Sequence, residues 1–128
     1  MKFEIEGKAE IVSPTPRQIT RSLKSLRSYG TSSYASLTDA RGNYVQVAGG
    51  GVSCMIERYE FDAQRHRAFH DKPSPVRPDG TFLVFRAGNI PMRSDEWFMA
   101  DQVVEVFLAF FHGVPYPPFV HWRPAPGL

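Results

Sequence analysis

Four sets of side chains in this sequence have the types and spacings to do chemistry. His66 and His70 stand four residues apart. On a helix that spacing puts both imidazoles on one face, where they can hold a metal; on a strand they share a face but lie further apart. No Glu or Cys completes a zinc motif around them and HExxH is absent, so two surface histidines beside arginines are expected. Cys54 can act as a nucleophile if the fold brings a histidine to it. It stands in the apolar phase of a strand with Val52 and Ile56, which points instead to a buried, inert thiol. Gly51-Val52-Ser53-Cys54-Met55 lacks the final glycine of a nucleophile elbow. Gly49-Gly50-Gly51 offers backbone N–H groups to a phosphate. A Walker loop then needs Lys followed by Ser or Thr and a helix, and a dinucleotide fingerprint needs a third glycine where Cys54 stands. The expectation is a turn or bulge between strands.

The fourth set is acidic. Glu57, Glu60 and Asp62 interleave with Arg58, Tyr59 and Phe61. On a strand, Glu57 and Tyr59 share one face and Arg58 and Glu60 the other. The residues alone leave open a paired-carboxylate site, an interaction edge and an ordinary solvated face. The mixture of acid, Arg and Tyr suits a protein interface better than a hydrolase cleft. Trp97 and Trp122 are two further candidates for interface anchors. Trp97, near the start of an apolar helix face, fits the core; Trp122 lies in a proline-flanked terminal strand where core packing is also favoured.

These residues must be positioned by elements that the patterning predicts. Phe3, Ile5, Ala9 and Ile11 alternate with charged residues, the period of a strand with one buried face. Thr15, Pro16 and Gln18 form a capping box with proline at the first helical position, and Ile19, Leu23 and Leu26 follow on one face until Gly30 stops the helix. Strands are expected at Ser33 to Thr38, Tyr44 to Ala48 and Val52 to Phe61, the first two joined by a hairpin turn at Asp39-Ala40-Arg41-Gly42-Asn43. A short strand follows at Arg67 to His70, then a proline-rich loop from Asp71 to Gly80. Thr81 to Arg86 is so apolar that it reads as a central strand buried on both faces. Ser94 is placed to cap a last helix, with Asp95 and Glu96 against its N-terminal dipole and Gly113 as its stop. The expected fold is α+β: an antiparallel sheet of about five to seven strands packed against two helices, in the order β-α-β-β-β-β-α-β, as one domain over residues 1–128.

Composition limits the function classes. The chain has 128 residues, 42% hydrophobic and 22% charged, enough for one core. Its net charge of +2 comes from Lys and Arg scattered among nearly as many acids, whereas a nucleic-acid binder concentrates them on one face. The single cysteine rules out an internal disulfide and a CxxC zinc site, and fits a reducing compartment. The first residues show no apolar leader, and the run from Val103 to Phe111 is far shorter than the roughly 20 residues that span a bilayer. A cytoplasmic protein is expected, with no cofactor and no metal.

The closing third is the most distinctive stretch. Ile90-Pro91 leads to a helix ending Phe107-Leu108-Ala109-Phe110-Phe111-His112-Gly113, followed by Pro115, Pro118 and Val120-His121-Trp122. It resembles the C-terminus of small immunity proteins from bacterial polymorphic toxin systems, most closely the group often paired with deaminase-type toxins. The stretch from Gly42 to Gly50, followed by Glu57-Arg58-Tyr59, also looks like such proteins, in which a strand, a glycine turn and a second strand recur. The likeness covers roughly residues 34–61 and 81–124 and is carried by glycine, proline, aromatic and apolar positions. It implies a non-enzymatic antidote that binds a cognate toxin domain and blocks its active site or substrate entry, without binding nucleic acid or membrane. The chain lacks a deaminase's paired-cysteine zinc signature, so it is not the toxin. One departure matters: many antidotes to nucleic-acid-targeting toxins are acidic, and this chain is not.

On that reading the toxin-binding residues are expected to be Glu57, Arg58, Tyr59, Glu60 and Asp62 on one strand, with Asp95 and Glu96 at the start of the last helix. Association would be fast and charge-steered. The protein would be a monomer or weak homodimer, since exposed edge strands can pair. Two rivals stand beside it. One is a small ligand-binding domain or enzyme with a pocket between sheet and helices and His66, His70 and Arg86 as its polar groups. The other is a nucleic-acid binder using Arg17, Arg21, Lys24 and Arg27.

Overall fold

The computed structural model describes residues 1–60 and 64–126. The chain runs β1 (Lys2–Ile5), β2 (Ile11–Val12), α1 (Pro16–Ser25), β3 (Tyr34–Thr38), β4 (Tyr44–Gly50), β5 (Ser53–Tyr59), β6 (Arg65–Phe69), β7 (Thr81–Phe85), β8 (Gly88–Met92), α2 (Ala100–His112) and β9 (His121–Pro124). Seven strands form one antiparallel sheet in the order β2-β1-β3-β4-β5-β6-β9, and β7 pairs only with β8 in a separate hairpin. This is the α+β architecture expected from the sequence.

Alternation along each strand sorts the side chains into layers. Phe3, Leu37, Val45, Val47, Ile56 and Ala68 belong to the main core, which Ile19, Leu23 and Leu26 complete from the α1 side and Val103, Val106 and Phe107 from α2. Each fully buried Leu or Phe there contributes roughly 1.5–3 kcal/mol. The opposite phase of β4 and β5 puts Ala48 and Met55 against Leu83, Met92 and Trp97, a second core beneath the β7–β8 hairpin. Helices therefore cover one face of the sheet, and the hairpin covers part of the other.

Local chemistry sets the element ends. Thr15 Oγ1 accepts from the Gln18 N–H at 3.1 Å while the Thr15 N–H donates to Gln18 Oε1 at 2.9 Å, the reciprocal capping box. The glycine run closes a hairpin: Gly50 pairs with Ser53, leaving Gly51 and Val52 as the turn. A Cβ on Gly50 would lie 2.2 Å from the Leu26 carbonyl oxygen, so a glycine there lets the end of α1 rest on β4. Gly113 ends α2 at φ +66, a left-handed cap.

Several elements depart from expectation. The first expected strand is divided into β1 and β2, which pair with each other, and α1 ends at Ser25 with Leu26 as its C-cap rather than at Gly30. The last helix begins at Ala100, not beside Ser94, and Asp95 and Glu96 lie in the connector before it. There the Met99 N–H donates to Gln102 Oε1 at 2.9 Å, which starts the helix one turn later. Thr81 to Arg86 is not a central strand. Its β7 residues pair only with β8, and Phe82 and Val84 are 57% and 41% exposed on the outer face. The strand β8, with Pro91 inside it, was not expected; proline is tolerated because a two-stranded hairpin has free edges. Among the described residues, no helix is long and apolar enough to cross a membrane.

Candidate functional site

The register that puts Ile56 in the main core turns Glu57 to the other face, opposite Gln46 on β4 and Arg67 on β6. Glu57 is 2% exposed and Arg67 5%. Gln46 Nε2 donates to Glu57 Oε1 at 2.9 Å, and Arg67 donates through Nε and Nη2 to Glu57 Oε2 at 3.1 and 3.0 Å. The remaining Arg67 nitrogen, Nη1, donates to the Pro91 carbonyl at 3.2 Å and to Glu96 Oε1 at 3.4 Å. Glu96, also 2% exposed, accepts from the Arg93 N–H at 2.8 Å and from Arg123 Nη1 at 3.4 Å. Arg123 Nη2 reaches Asp95 Oδ2 at 2.7 Å, and at the other end Arg65 Nε lies 3.6 Å from Glu57. The result is a row of six charges that alternate in sign: Arg65, Glu57, Arg67, Glu96, Arg123, Asp95. It joins β5, β6, β9 and the connector to α2. Burial of this kind is tolerated because every internal member has an opposite charge on both sides.

Above the row lies an open cavity of about 600 Å³ between the sheet face and the hairpin. Its walls are mostly apolar, with Tyr34, Ala48 and Met55 on the sheet side and Phe85, Ile90 and Pro91 on the hairpin side. Glu57, Arg65 and Arg67 supply its charged lining.

A second arrangement occupies the far end of β5. The Arg58 guanidinium lies 4.7 Å from the Trp122 ring centre and 5.5 Å from that of Tyr116, and its Nη1 pairs with Glu60 at 2.7 Å. On the opposite face of the strand Tyr59 stacks on Tyr44, with ring centres 5.3 Å apart. Tyr59, Glu60 and Tyr116, with Arg41 and Phe110, border a shallow depression of about 340 Å³. Burial raises the Tyr116 hydroxyl above its ordinary pKa, partly offset by Arg58, and burial likewise raises Tyr44. Both therefore stay neutral hydrogen-bonding groups at physiological pH.

Of the residues expected to contact a partner, Tyr59 and Glu60 border this depression, and Arg58 lies behind it against Glu60 and Tyr116. Glu57 and Glu96 do not reach the surface: at 2% exposure, both are consumed by Arg67. Asp95 is about a quarter exposed and engaged with Arg123. Asp62 lies outside the described residues. Arg67, Arg123, Gln46 and Tyr116 were missed. For Gln46 and Arg67 the usable signal was the strand phase they share with Glu57.

The other chemical candidates resolve individually. Cys54 is buried at 2% exposure, and burial pushes its thiol up to about 12, so it is inert. His70 Nε2 lies 2.7 Å from the Trp97 carbonyl and its Nδ1 accepts from the Lys72 N–H at 3.2 Å, so both ring nitrogens are engaged within the fold. His66 Nδ1 lies 2.8 Å from the Gln64 carbonyl. Neither histidine nor Arg86 lines the large cavity, which opens between sheet and hairpin rather than between sheet and helices. Among the described residues, no three His, Cys, Asp or Glu side chains are grouped to hold a metal. Arg17, Arg21, Lys24 and Arg27 are exposed on and just after α1, and Lys24 pairs with Asp101 at 3.7 Å. No protein-family model, curated protein or solved structure matches this chain.

Proposed function

We propose that this chain is a cytoplasmic immunity protein that binds a cognate antibacterial toxin domain and occludes its active site or substrate entry, with a nucleic-acid deaminase as the toxin class. The likeness in the closing third and around Gly42–Gly50 motivates the reading. The observation that carries it is the cluster at the end of β5, where Arg58 rests on Trp122 and Tyr116 beside Tyr59 and Glu60. Arginine and aromatic side chains, half-buried and already ordered, are the usual energetic centre of a protein interface. Because the guanidinium is held on two rings, little side-chain freedom remains to be lost on association. The exposed carboxylate of Glu60 suits a basic groove built for nucleic acid. Glu57, Asp95 and Glu96 act below this surface, by fixing the strands that present it.

Inhibition on this reading is steric and needs no catalytic group. In a purified complex with the toxin domain, Arg58→Ala should weaken binding about 30-fold, near 2 kcal/mol, by titration calorimetry. Arg17→Ala on α1 should leave the affinity unchanged. Equal affinities for Arg58→Ala and the unaltered chain would remove this surface from the account.

A further inference from the structure

We propose that the cavity between the open sheet face and the β7–β8 hairpin is a binding site for a small amphipathic monocarboxylate, an acid with one apolar or aromatic body. Size and lining come first. About 600 Å³ falls among ordinary small-molecule sites, and Tyr34, Met55, Phe85 and Ile90 give it walls that suit an apolar body. Charge comes second. The alternating row ends inside this cavity on a cation. Every internal member of the row faces two opposite charges, whereas among the described residues Arg65 faces Glu57 alone, across a long 3.6 Å. Glu57 is itself compensated by Arg67 at 3.0 Å and by Gln46 at 2.9 Å.

Among the described residues, the cavity lining therefore carries two guanidinium groups against one carboxylate. Arg65 keeps 29% of its side chain exposed, and its Nη2 is held by the Pro126 carbonyl at 3.3 Å. This anchors the guanidinium while leaving part of its fork open. A planar, partly desolvated guanidinium matches a carboxylate. One surplus charge fits one ionised group and fits a polyanion poorly. The opposite end of the row is Asp95, which is paired with Arg123 at 2.7 Å, so the more loosely paired end of the row is the cationic one.

The test uses the purified protein alone, so its failure leaves the toxin-binding reading standing, and failure of that reading leaves this one standing. The probe is 3-phenylpropionate, compared with its neutral match 3-phenylpropionamide, followed by backbone amide shifts in NMR titrations. The carboxylate should bind with shifts centred on β4, β5, β6 and the hairpin, and the amide about tenfold more weakly. Arg65→Gln should lose the same factor of about ten, and Arg65→Lys should recover only part of it, since an ammonium keeps the charge but not the planar fork. Ala87→Trp, at the exposed hairpin turn on the rim, should block entry without touching the charge row. Each variant's thermal melt checks that it is folded. Shifts centred elsewhere, equal binding of acid and amide, unchanged affinity in Arg65→Gln, or no binding at millimolar probe would each overturn the proposal.

Discussion

Arg67 is the side chain on which most of the buried charge depends. It neutralises both Glu57 and Glu96 from a site 5% exposed. Removing one partner of a buried pair costs more than the pair itself contributes, because the surviving charge has lost both water and its counter-charge. Here two buried carboxylates would each lose one of two counter-charges, Glu57 keeping Arg65 at 3.6 Å and Glu96 keeping Arg123 at 3.4 Å. Arg67→Met should therefore destabilise the protein by about 3–5 kcal/mol in urea unfolding, whereas Lys24→Met, which breaks an exposed pair with Asp101, should cost under about 1 kcal/mol. A loss below 1 kcal/mol for Arg67→Met would mean the row is far better hydrated than its burial implies. This scale is where reading the sequence succeeded least. Glu57 and Glu96 were expected at a contact surface because carboxylates are rarely fully buried unless paired, and their shared partner Arg67 is set by the β5–β6 register and by the packing of the α2 connector, which local sequence does not show. Cys54 was legible, since a thiol in phase with Ile56 has to follow Ile56 into the core.

At the scale of elements, the start of α1 was legible to the residue because it is written in local chemistry, Thr15 with Gln18, and its buried face in the spacing of Ile19 and Leu23; its end was not, since the helix stops at Ser25 and Leu26 is already extended, well before Gly30. The last helix was not. Ser94-Asp95-Glu96 has the composition of a helix start, but the Glu96 carboxylate is taken by Arg67 and by the Arg93 N–H, and the helix begins beyond it. The β7 strand was misplaced for a different reason. Thr81-Phe82-Leu83-Val84-Phe85 is apolar in both phases, yet only Leu83 is deeply buried; Phe82 and Val84 remain on the outside of the hairpin. An apolar run cannot distinguish a central strand from a hairpin with an exposed apolar face. The glycine run forms the expected turn between strands, and its physical role is close approach. Gly50→Ala would place a methyl 2.2 Å from the Leu26 carbonyl oxygen, a backbone atom that cannot swing away. That substitution should cost about 2–3 kcal/mol, read as a lowered unfolding midpoint, with loss concentrated where α1 meets β4. An unchanged midpoint would show that α1 can shift freely over the sheet.

For the molecule as a whole, the net charge of +2 is close to balance, and the buried row of three acids and three arginines adds nothing to it. Long-range steering toward a charged partner is accordingly weak, so affinity has to come from the desolvated centre around Arg58 more than from the field of the whole chain. The fold class was legible because two amphipathic helices and several alternating strands permit few arrangements. The cavity was not, because it depends on a hairpin folding back over the free face of the sheet, which no local pattern announces. The most direct test of toxin binding is affinity capture with the tagged chain from the lysate of its native cell, read by mass spectrometry. The account predicts one stoichiometric partner, the C-terminal toxin domain of a large secreted protein. Recovery of the chain alone, while the toxin is demonstrably expressed in the same cells, would contradict it.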